Sequence, residues 1–452
     1  MIKLRLTGRQ HRELVAHLLP GDGLEGIAFV LCGRARRAHD DILCARYIFL
    51  VPHEICARKD GSITWPGNFL AAHLNLAFRE NLAVLKIHSH PGDYPKFSEA
   101  DDLSDGHVYS SITSWLANDD THLSAIMLSN GRIIARHMNT QIADPVFLSV
   151  AGDDVTFWRD HSEVAGNAAF AANEQLFGEG TTKRLNQLQV GIVGCSGTGS
   201  ITAELLFRLG VGSLVLVDDQ VIESRNLNRI LNSRRTDIEQ PKVTVLSNAI
   251  AAADLGALPI PVPKNLYSRE AVLAISACDV VFGCVDSAEG RHLLNKIATF
   301  YNIPYFDMGV HLKADGKGGI DEASGVVHYL QPDSSTLLDR KAYSMKQVRA
   351  EGLLRTDPEE YKKQRAAGYI EGVAENSPAV ASINATIASL AVNEFLSRIH
   401  PFRSCSNADG SIVRFNFMEF LAFREPERGA SGKPANVGRG DVSPLLDMPS
   451  LS

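Results

Sequence analysis

Short apolar runs bounded by polar turns mark the first third of the chain, at 27–32, 47–51, 83–88, 123–128 and 133–135. Runs of this length read as strands. A helical stretch at 69–80 lies between the second and third, and the tetrapeptide SNGR at 129–132 reads as a turn between two strands. Residues 24–136 therefore predict a mixed α/β unit. From Leu185 onward the rhythm changes. Apolar runs at 190–194, 213–217, 279–284 and 304–307 alternate with helical patterns, which predicts a mainly parallel sheet. Ser377 before Pro378 is an N-cap ahead of a first-turn proline. It opens a helix to about Ile399 with an apolar face of Ile383, Ile387, Leu390 and Phe395. The stretch at 141–178 reads as a connector with some helix. Residues 426–452, rich in Gly, Pro and Ser, read as a flexible tail. The division is thus 1–140, connector 141–178, 179–425 and tail 426–452, in an α/β fold class.

A chain of 452 residues is long for one core, in keeping with two domains. A net charge of −7 gives no electrostatic case for nucleic acid or a membrane surface. Arg34, Arg36 and Arg37 stand close to Asp40 and Asp41 and read as a solvated turn. The first residues, MIKLRLTGRQ, lack the apolar core of a signal peptide, and no run approaches the ~20 apolar residues of a membrane span. Seven cysteines form no C-x-x-C pair, so neither a cysteine zinc clip nor a disulfide framework is indicated. Reduced thiols in the cytoplasm are the expectation.

Candidate chemistry starts at KIHSHPGDYPKFSEADD, residues 86–102. His88 and His90 are two apart at the end of an apolar run, so on a strand both imidazoles face the same way. Asp101 adds a carboxylate. Two His and one carboxylate with an open position suit a catalytic zinc ion, which lowers the pKa of a bound water to about 7. A base must then take the proton. Glu25 in GLEGIAFVLCG is the candidate and Glu54 the runner-up. Ser98 to Asp101 also reads as a capping box at a helix start, which would fix Asp101 in place.

The arrangement of a Glu followed by H-x-H-x7-S-x-x-D resembles the JAMM metalloproteases, zinc isopeptidases acting on ubiquitin-like conjugates, over residues 1–140. The resemblance implies that His88, His90 and Asp101 bind zinc, that Glu25 is general acid and base, and that Ser98 steadies the developing oxyanion.

A second constellation starts at VGIVGCSGTGS. Gly194, Gly197 and Gly199 follow a strand and precede a helix, so backbone can approach phosphate at a helix N-terminus. The spacing is G-x-x-G-x-G, not the dinucleotide fingerprint. Asp218, 21 residues after Gly197, can bind a ribose hydroxyl. Arg229 and Lys242 shift the reading from hydride transfer to adenylation, because cations near the β and γ phosphates stabilise a departing pyrophosphate. Asp286 can hold magnesium.

The motifs GCSGTGS, LVDD followed by NLNR, QPK, and CVDS, with the late helix SPAVASINATIASLAVNEFL, resemble the ThiF/MoeB-like branch of the ubiquitin-activating family over about 170–425. The resemblance implies a Rossmann-like domain in which Gly197, Asp218, Asn226, Arg229, Lys242, Asp286 and Ser287 contact ATP or its magnesium. It also implies an acyl-adenylate at a C-terminal glycine, and a homodimer. Three departures stand out. AAFAANEQLFG lacks the arginine such domains lend to a partner's ATP, PDSSTLLD (332–339) lacks the cysteines of the family's structural zinc, and the crossover 332–376 holds no thiol for a thioester. No zinc is expected in the second domain. Cys405, or an oxyester at Ser334, Ser335 or Thr336, is the remaining acceptor choice.

Two halves directed at one substrate class suggest an enzyme of a bacterial conjugation pathway. It would process a ubiquitin-like protein through zinc and adenylate its C-terminal glycine with ATP, and a downstream conjugating enzyme is a further possible partner. Activation of a sulfur carrier for cofactor synthesis is the alternative outcome, and a binding module with one inactive half is another. A dehydrogenase is disfavoured by Arg229 and Lys242.

Overall fold

The computed structural model spans the 452-residue chain and describes all residues except 119, 140–145, 160–166, 371–377 and 428–434. It divides into two compact units. Unit 1 comprises 1–163 together with 299–302 and the described residues 435–449. Unit 2 comprises 164–298, 303–427 and 450–452 among the described residues.

Unit 1 begins with β1 (Ile2–Thr7), α1 (Gly8–Leu18), β2 (Ile27–Arg36) and β3 (Asp41–Leu50). A small hairpin follows, β4 (Ala57–Lys59) and β5 (Ser62–Thr64), then α2 (Asn68–Glu80), β6 (Ala83–His90) and α3 (Glu99–Leu116). The unit continues with β7 (Leu123–Leu128), β8 (Ile133–His137), β9 (Val146–Ala151) and β10 (Val155–Trp158). Eight strands form one sheet in the order β10-β9-β1-β3-β2-β6-β7-β8. Alternation along β6 sends Leu85 and Ile87 into one core with Leu14 and Leu18 of α1. Val84 goes into the other core, with Leu70 and Leu74 of α2 and Val108 and Ile112 of α3. β6 is thus buried on both faces and carries the H-x-H pair.

Unit 2 opens with α4 (Ala171–Phe177), α5 (Glu179–Asn186), β11 (Gln189–Val193), α6 (Gly197–Arg208) and β12 (Ser213–Val217). Next come α7 (Lys242–Ala253), β13 (Leu258–Val262), α8 (Arg269–Ser276), β14 (Val280–Gly283) and α9 (Ala288–Tyr301), whose last turn falls in the 299–302 segment. The unit continues with β15 (Tyr305–Ala314), β16 (Ile320–Leu330), α10 (Met345–Thr356), α11 (Pro358–Ala366), α12 (Ala381–Ile399), β17 (Ile412–Asn416) and β18 (Leu421–Glu425). Strands β13-β12-β11-β14-β15 are parallel, and β16, β17 and β18 extend the sheet antiparallel. The chain runs outward from β11 to β13 and resumes on its other side at β14. The β11/β14 boundary is therefore the switch point where such sheets take ligands.

The structure corrects several expectations. The connector expected over 141–178 contains β9 and β10, which pair in the first sheet, β9 against β1. The tail expected to be flexible from 426 is packed over 435–452, with Val437, Leu445, Leu446 and Leu451 buried. Gly438 and Gly440 have φ of 68° and 63° and lie against the carbonyls of Ala45 and Arg34. Glycine chosen for close approach had read as glycine of a loose tail. Arg34 is buried, donating to the carbonyls of Thr121 and Leu82, so the arginine cluster is not a solvated turn throughout. Arg37 pairs with Asp441 at 2.8 Å. The late helix starts at Ala381, behind the extended Val380, and Ser377 lies outside the described residues. No described helix is long and apolar enough to cross a membrane.

Candidate functional site

In unit 1, β6 ends by presenting both histidines on the face that meets α3. The Ser98 hydroxyl accepts the Asp101 N–H at 3.2 Å, and the Asp101 carboxylate accepts the Ser98 N–H at 2.7 Å. This capping box starts α3 and fixes Asp101 in the first turn. Nε2 of His88 lies 3.0 Å from Oδ1 of Asp101 and 3.0 Å from Nε2 of His90. The second carboxylate oxygen is 3.8 Å from Nε2 of His90. Among the described residues this is the group whose ligand atoms converge, all within 4.8 Å of one another. Nδ1 of His90 lies 2.8 Å from the Tyr94 carbonyl. A proton on that nitrogen leaves Nε2 with its lone pair toward the cluster.

Burial pushes the His88 pKa down. Burial opposes ionisation of Asp101, but hydrogen bonds from His88 and Ser98 outweigh it and hold the carboxyl well below the usual range. Glu25 is buried just ahead of β2. Its loop is stapled to β6, since the Gly26 N–H donates to Ser89 Oγ at 2.9 Å and the Ser89 N–H to the Gly26 carbonyl at 3.0 Å. Burial raises the Glu25 pKa, with Asp101 and Asp60 adding to it. Glu25, His88, His90, Ser98 and Asp101 line one cavity of about 270 Å³. Glu54 is exposed and does not line it. Tyr94, Trp65 and Lys86 also line it and were not singled out from the sequence.

In unit 2 the glycine turn follows β11. Gly194 has φ of 89°, and a Cβ there would stand 2.7 Å from the Cys284 carbonyl at the end of β14. A Cβ at Gly199 would enter the Gly194 carbonyl, and one at Gly197 would enter the Asn384 side chain. That Asn384 contact, from α12, had no sequence signal. Asp218 closes β12 and braces the turn, accepting the Cys195 N–H at 2.7 Å and the Gln220 N–H at 2.9 Å. Burial raises its pKa against the opposing charge of Lys242. Lys242 is buried at the start of α7 and donates to Gln220 Oε1 at 2.6 Å. Asn226 is buried and accepts the Glu223 N–H at 3.0 Å. Arg229 Cδ stands 3.4 Å from the Cβ position of Gly197, and its guanidinium donates to the Arg225 carbonyl at 2.6 Å. Asp286 is exposed in the loop after β14, and the Ser287 hydroxyl accepts the Gly290 N–H at 3.2 Å.

The acceptor candidates separate clearly. Ser334 and Ser335 are buried and tied to Glu427, and Thr336 Oγ1 donates to Asp339 at 2.8 Å. Cys405 is exposed, with the Arg424 guanidinium 3.0 Å from its sulfur. Burial pushes the Cys195 and Cys284 thiols up. Arg184 donates to the Ile399 carbonyl at 3.2 Å.

Residues 170–434 match the ThiF family and residues 8–136 match prokaryotic homologs of the JAB domain. Adenylyltransferase and sulfurtransferase UBA4 of Meyerozyma guilliermondii is 28% identical over 142 residues, covering 31% of this chain and 33% of that protein. Ubiquitin-like modifier-activating enzyme 5 of Culex quinquefasciatus is 26% identical over 163 residues, covering 33% of this chain and 38% of that protein. The chain thus spans little more than a third of these relatives' lengths. Crystalline E. coli MccB with ATP is similar at 16% identity and TM-score 0.45, covering 60% of this chain and 74% of that one. With the first match covering more than half its length, the chain belongs to the ThiF family and carries ahead of that region a domain of the prokaryotic JAB type.

Proposed function

We propose that unit 2 uses ATP to adenylate the C-terminal glycine of a ubiquitin-like or sulfur-carrier protein, and that unit 1 is a zinc-dependent isopeptidase for the same class of protein. The reading is carried by one observation. A converged His88, His90 and Asp101 set beside a buried Glu25 occurs in the same chain as a glycine turn neighboured by Asp218, Arg229 and Lys242.

In unit 1 the donor set fits zinc, being two imidazole nitrogens and one carboxylate with room for a fourth ligand. When bound, zinc supplies a water of lowered pKa and polarises a carbonyl. Glu25 takes a proton from the attacking water and returns it to the departing amine. A carboxyl whose pKa is raised by burial suits both transfers. Ser98 steadies the carbonyl oxygen by turning its hydroxyl away from Asp101, to which it donates at 2.8 Å.

In unit 2 the phosphates rest on the glycine turn and the N-terminus of α6, where unpaired N–H groups favour anions. Asp218 takes the ribose hydroxyl, Asp286 and Ser287 hold magnesium, and Asn226 positions the loop. The glycine carboxylate attacks the α-phosphorus. A phosphorus–oxygen bond forms and the bond to pyrophosphate breaks, with Arg229 and Lys242 drawing the released charge. A homodimer through unit 2 belongs to this reading, as does a cytoplasmic setting within a bacterial conjugation pathway.

The buried crossover hydroxyls and the cysteine-free stretch 332–376 favour an outcome that stops at the adenylate or passes to Cys405. ATP–pyrophosphate exchange with a ubiquitin-like protein ending in glycine tests the reading. Exchange is expected with the wild type and lost when the terminal glycine is removed. Exchange independent of that glycine would refute it. Wild type and Cys405→Ser compared for a hydroxylamine-sensitive adduct separate the two outcomes.

A further inference from the structure

One buried ion network in unit 1 has no part in the chemistry above. Along β6, Lys86, His88 and His90 follow one another at every second residue, so all three share the face toward α3. Lys86 is 3% exposed and Asp105, on α3, is 0% exposed. Nζ of Lys86 donates to Asp105 Oδ1 at 2.8 Å and to Ser104 Oγ at 2.9 Å. Asp105 also accepts Ser124 Oγ of β7 at 2.9 Å and the Arg136 guanidinium of β8 at 2.7 Å. Arg136 donates further to Asp102 at 2.7 Å. Three adjacent strands thus hold one carboxylate of α3.

The spacing matches the metal cluster. Two residues on a strand advance about 6.6 Å, and four residues on a helix advance about 6 Å. His88 meets Asp101 at 3.0 Å, and one step along each element Lys86 meets Asp105. The two pairs are rungs between the same strand and the same helix. Burying such a pair is expensive, and apolar residues of equal volume would hold the two elements together as well. An apolar contact tolerates sliding, whereas a charge pair with fixed hydrogen bonds does not. A slip of one residue on α3 rotates it by about 100° and takes Asp101 off the histidines.

We propose that Lys86 and Asp105 are positioning residues that set the register of α3 on β6 and thereby hold the Asp101 carboxylate on the metal. The assignment rests on the zinc reading of unit 1. Lys86 lines the same cavity, but its ammonium is committed to Asp105 and Ser104, and it acts through Asp105.

Zinc affinity of the full chain, measured by competition with a chromophoric chelator well below the melting temperature, tests it. Lys86→Met and Asp105→Asn are expected to bind zinc about 10- to 100-fold more weakly, as loss of groups that orient ligands does. Their cobalt(II) spectra are expected to show an altered ligand field. Asp105→Asn keeps the side-chain shape should Lys86→Met fail to fold. Ile112→Ala, a buried position on the same helix, serves as a control for destabilisation alone. Folded Lys86→Met or Asp105→Asn protein that binds zinc within twofold of wild type would overturn the proposal, as would an equal loss in Ile112→Ala. If those two variants bind normally, zinc bound by wild type and lost in His90→Ala would show that the metal reading stands while the register role fails. No zinc in wild type removes both.

Discussion

The two candidate sites are held together in different ways. In unit 1, Nε2 of His88, Nε2 of His90 and the Asp101 carboxylate converge, their ligand atoms within 4.8 Å of one another. The secondary structure does this: a strand for the histidines, a capped first turn for the aspartate. In unit 2 the polar groups look after one another. Arg229 donates to a backbone carbonyl, Lys242 to Gln220, and Asp218 accepts two backbone N–H groups. On the proposed reading the first site is organised for an ion before it binds. On the same reading the second would exchange internal hydrogen bonds for phosphate contacts when nucleotide arrives. Preorganised donors need no rearrangement at the reacting moment, so defects in unit 1 should appear in metal binding and defects in unit 2 in nucleotide-dependent rates.

The largest effect expected is from His88→Ala with His90→Ala. Zinc should fall from about one per chain to none by elemental analysis, and peptide hydrolysis with it. ATP–pyrophosphate exchange should be unchanged, and a fall in exchange would break the separation of the two sites. Next, Glu25→Gln should retain zinc while hydrolysis drops about 10²- to 10⁴-fold, the usual worth of a general acid and base. Loss of zinc in that variant would make Glu25 a ligand instead. Asp286→Ala should lower exchange by about 10²- to 10³-fold through loss of magnesium positioning, with zinc content intact. A smaller effect is expected from Gly199→Ala, where the added methyl meets the Gly194 carbonyl. Overpacking at such a contact costs about 1–3 kcal/mol. The melting of unit 2 and the KM for ATP should both shift, while zinc affinity stays put.

How much of this could be read from the chain depended on the range of the interactions. His88, His90, Ser98 and Asp101 lie within one strand, loop and helical turn, so spacing alone brings them together. The parallel strands of unit 2 announce themselves as apolar runs, and the glycine turn follows directly. The antiparallel extension β16 to β18 was not legible. Its strands mix apolar with charged residues because part of that surface is exposed, as at Ile320, Asp321 and Glu322 at the start of β16. For strand β1 the pattern hides burial instead. Its sequence IKLRLT alternates as a half-exposed strand would, yet Lys3 and Arg5 are buried. The Arg5 guanidinium reaches the Tyr301 carbonyl at 3.3 Å, a partner 296 residues away. The packed segment 435–449 fails for the same cause. Tyr301 donates to Asp441 at 2.8 Å, and no local pattern announces such a contact.

The weakest effect expected separates the two units by stability instead of chemistry. His122, just before β7, is fully buried, and Nδ1 accepts the Val84 N–H at 2.9 Å. Burial, with Arg34 adding its charge, pushes its pKa from 6.5 down to about 3. In the unfolded chain the ring takes up a proton near pH 6.5, whereas in the folded one it resists until about pH 3. Between those values the unfolded state binds more protons, so stability contributed by this site is complete above pH 6.5 and is lost as the pH falls. The shift sets an upper bound of about 5 kcal/mol, reached only below pH 3. All three tryptophans, Trp65, Trp115 and Trp158, belong to unit 1, so their fluorescence reports its unfolding alone. Urea titrations followed this way should show unit 1 weaker at pH 4.5 than at pH 7.5. His122→Asn, which can keep an acceptor for Val84 without taking a charge, should lose less over the same interval. An equal loss in both proteins would assign the acid sensitivity to groups other than His122.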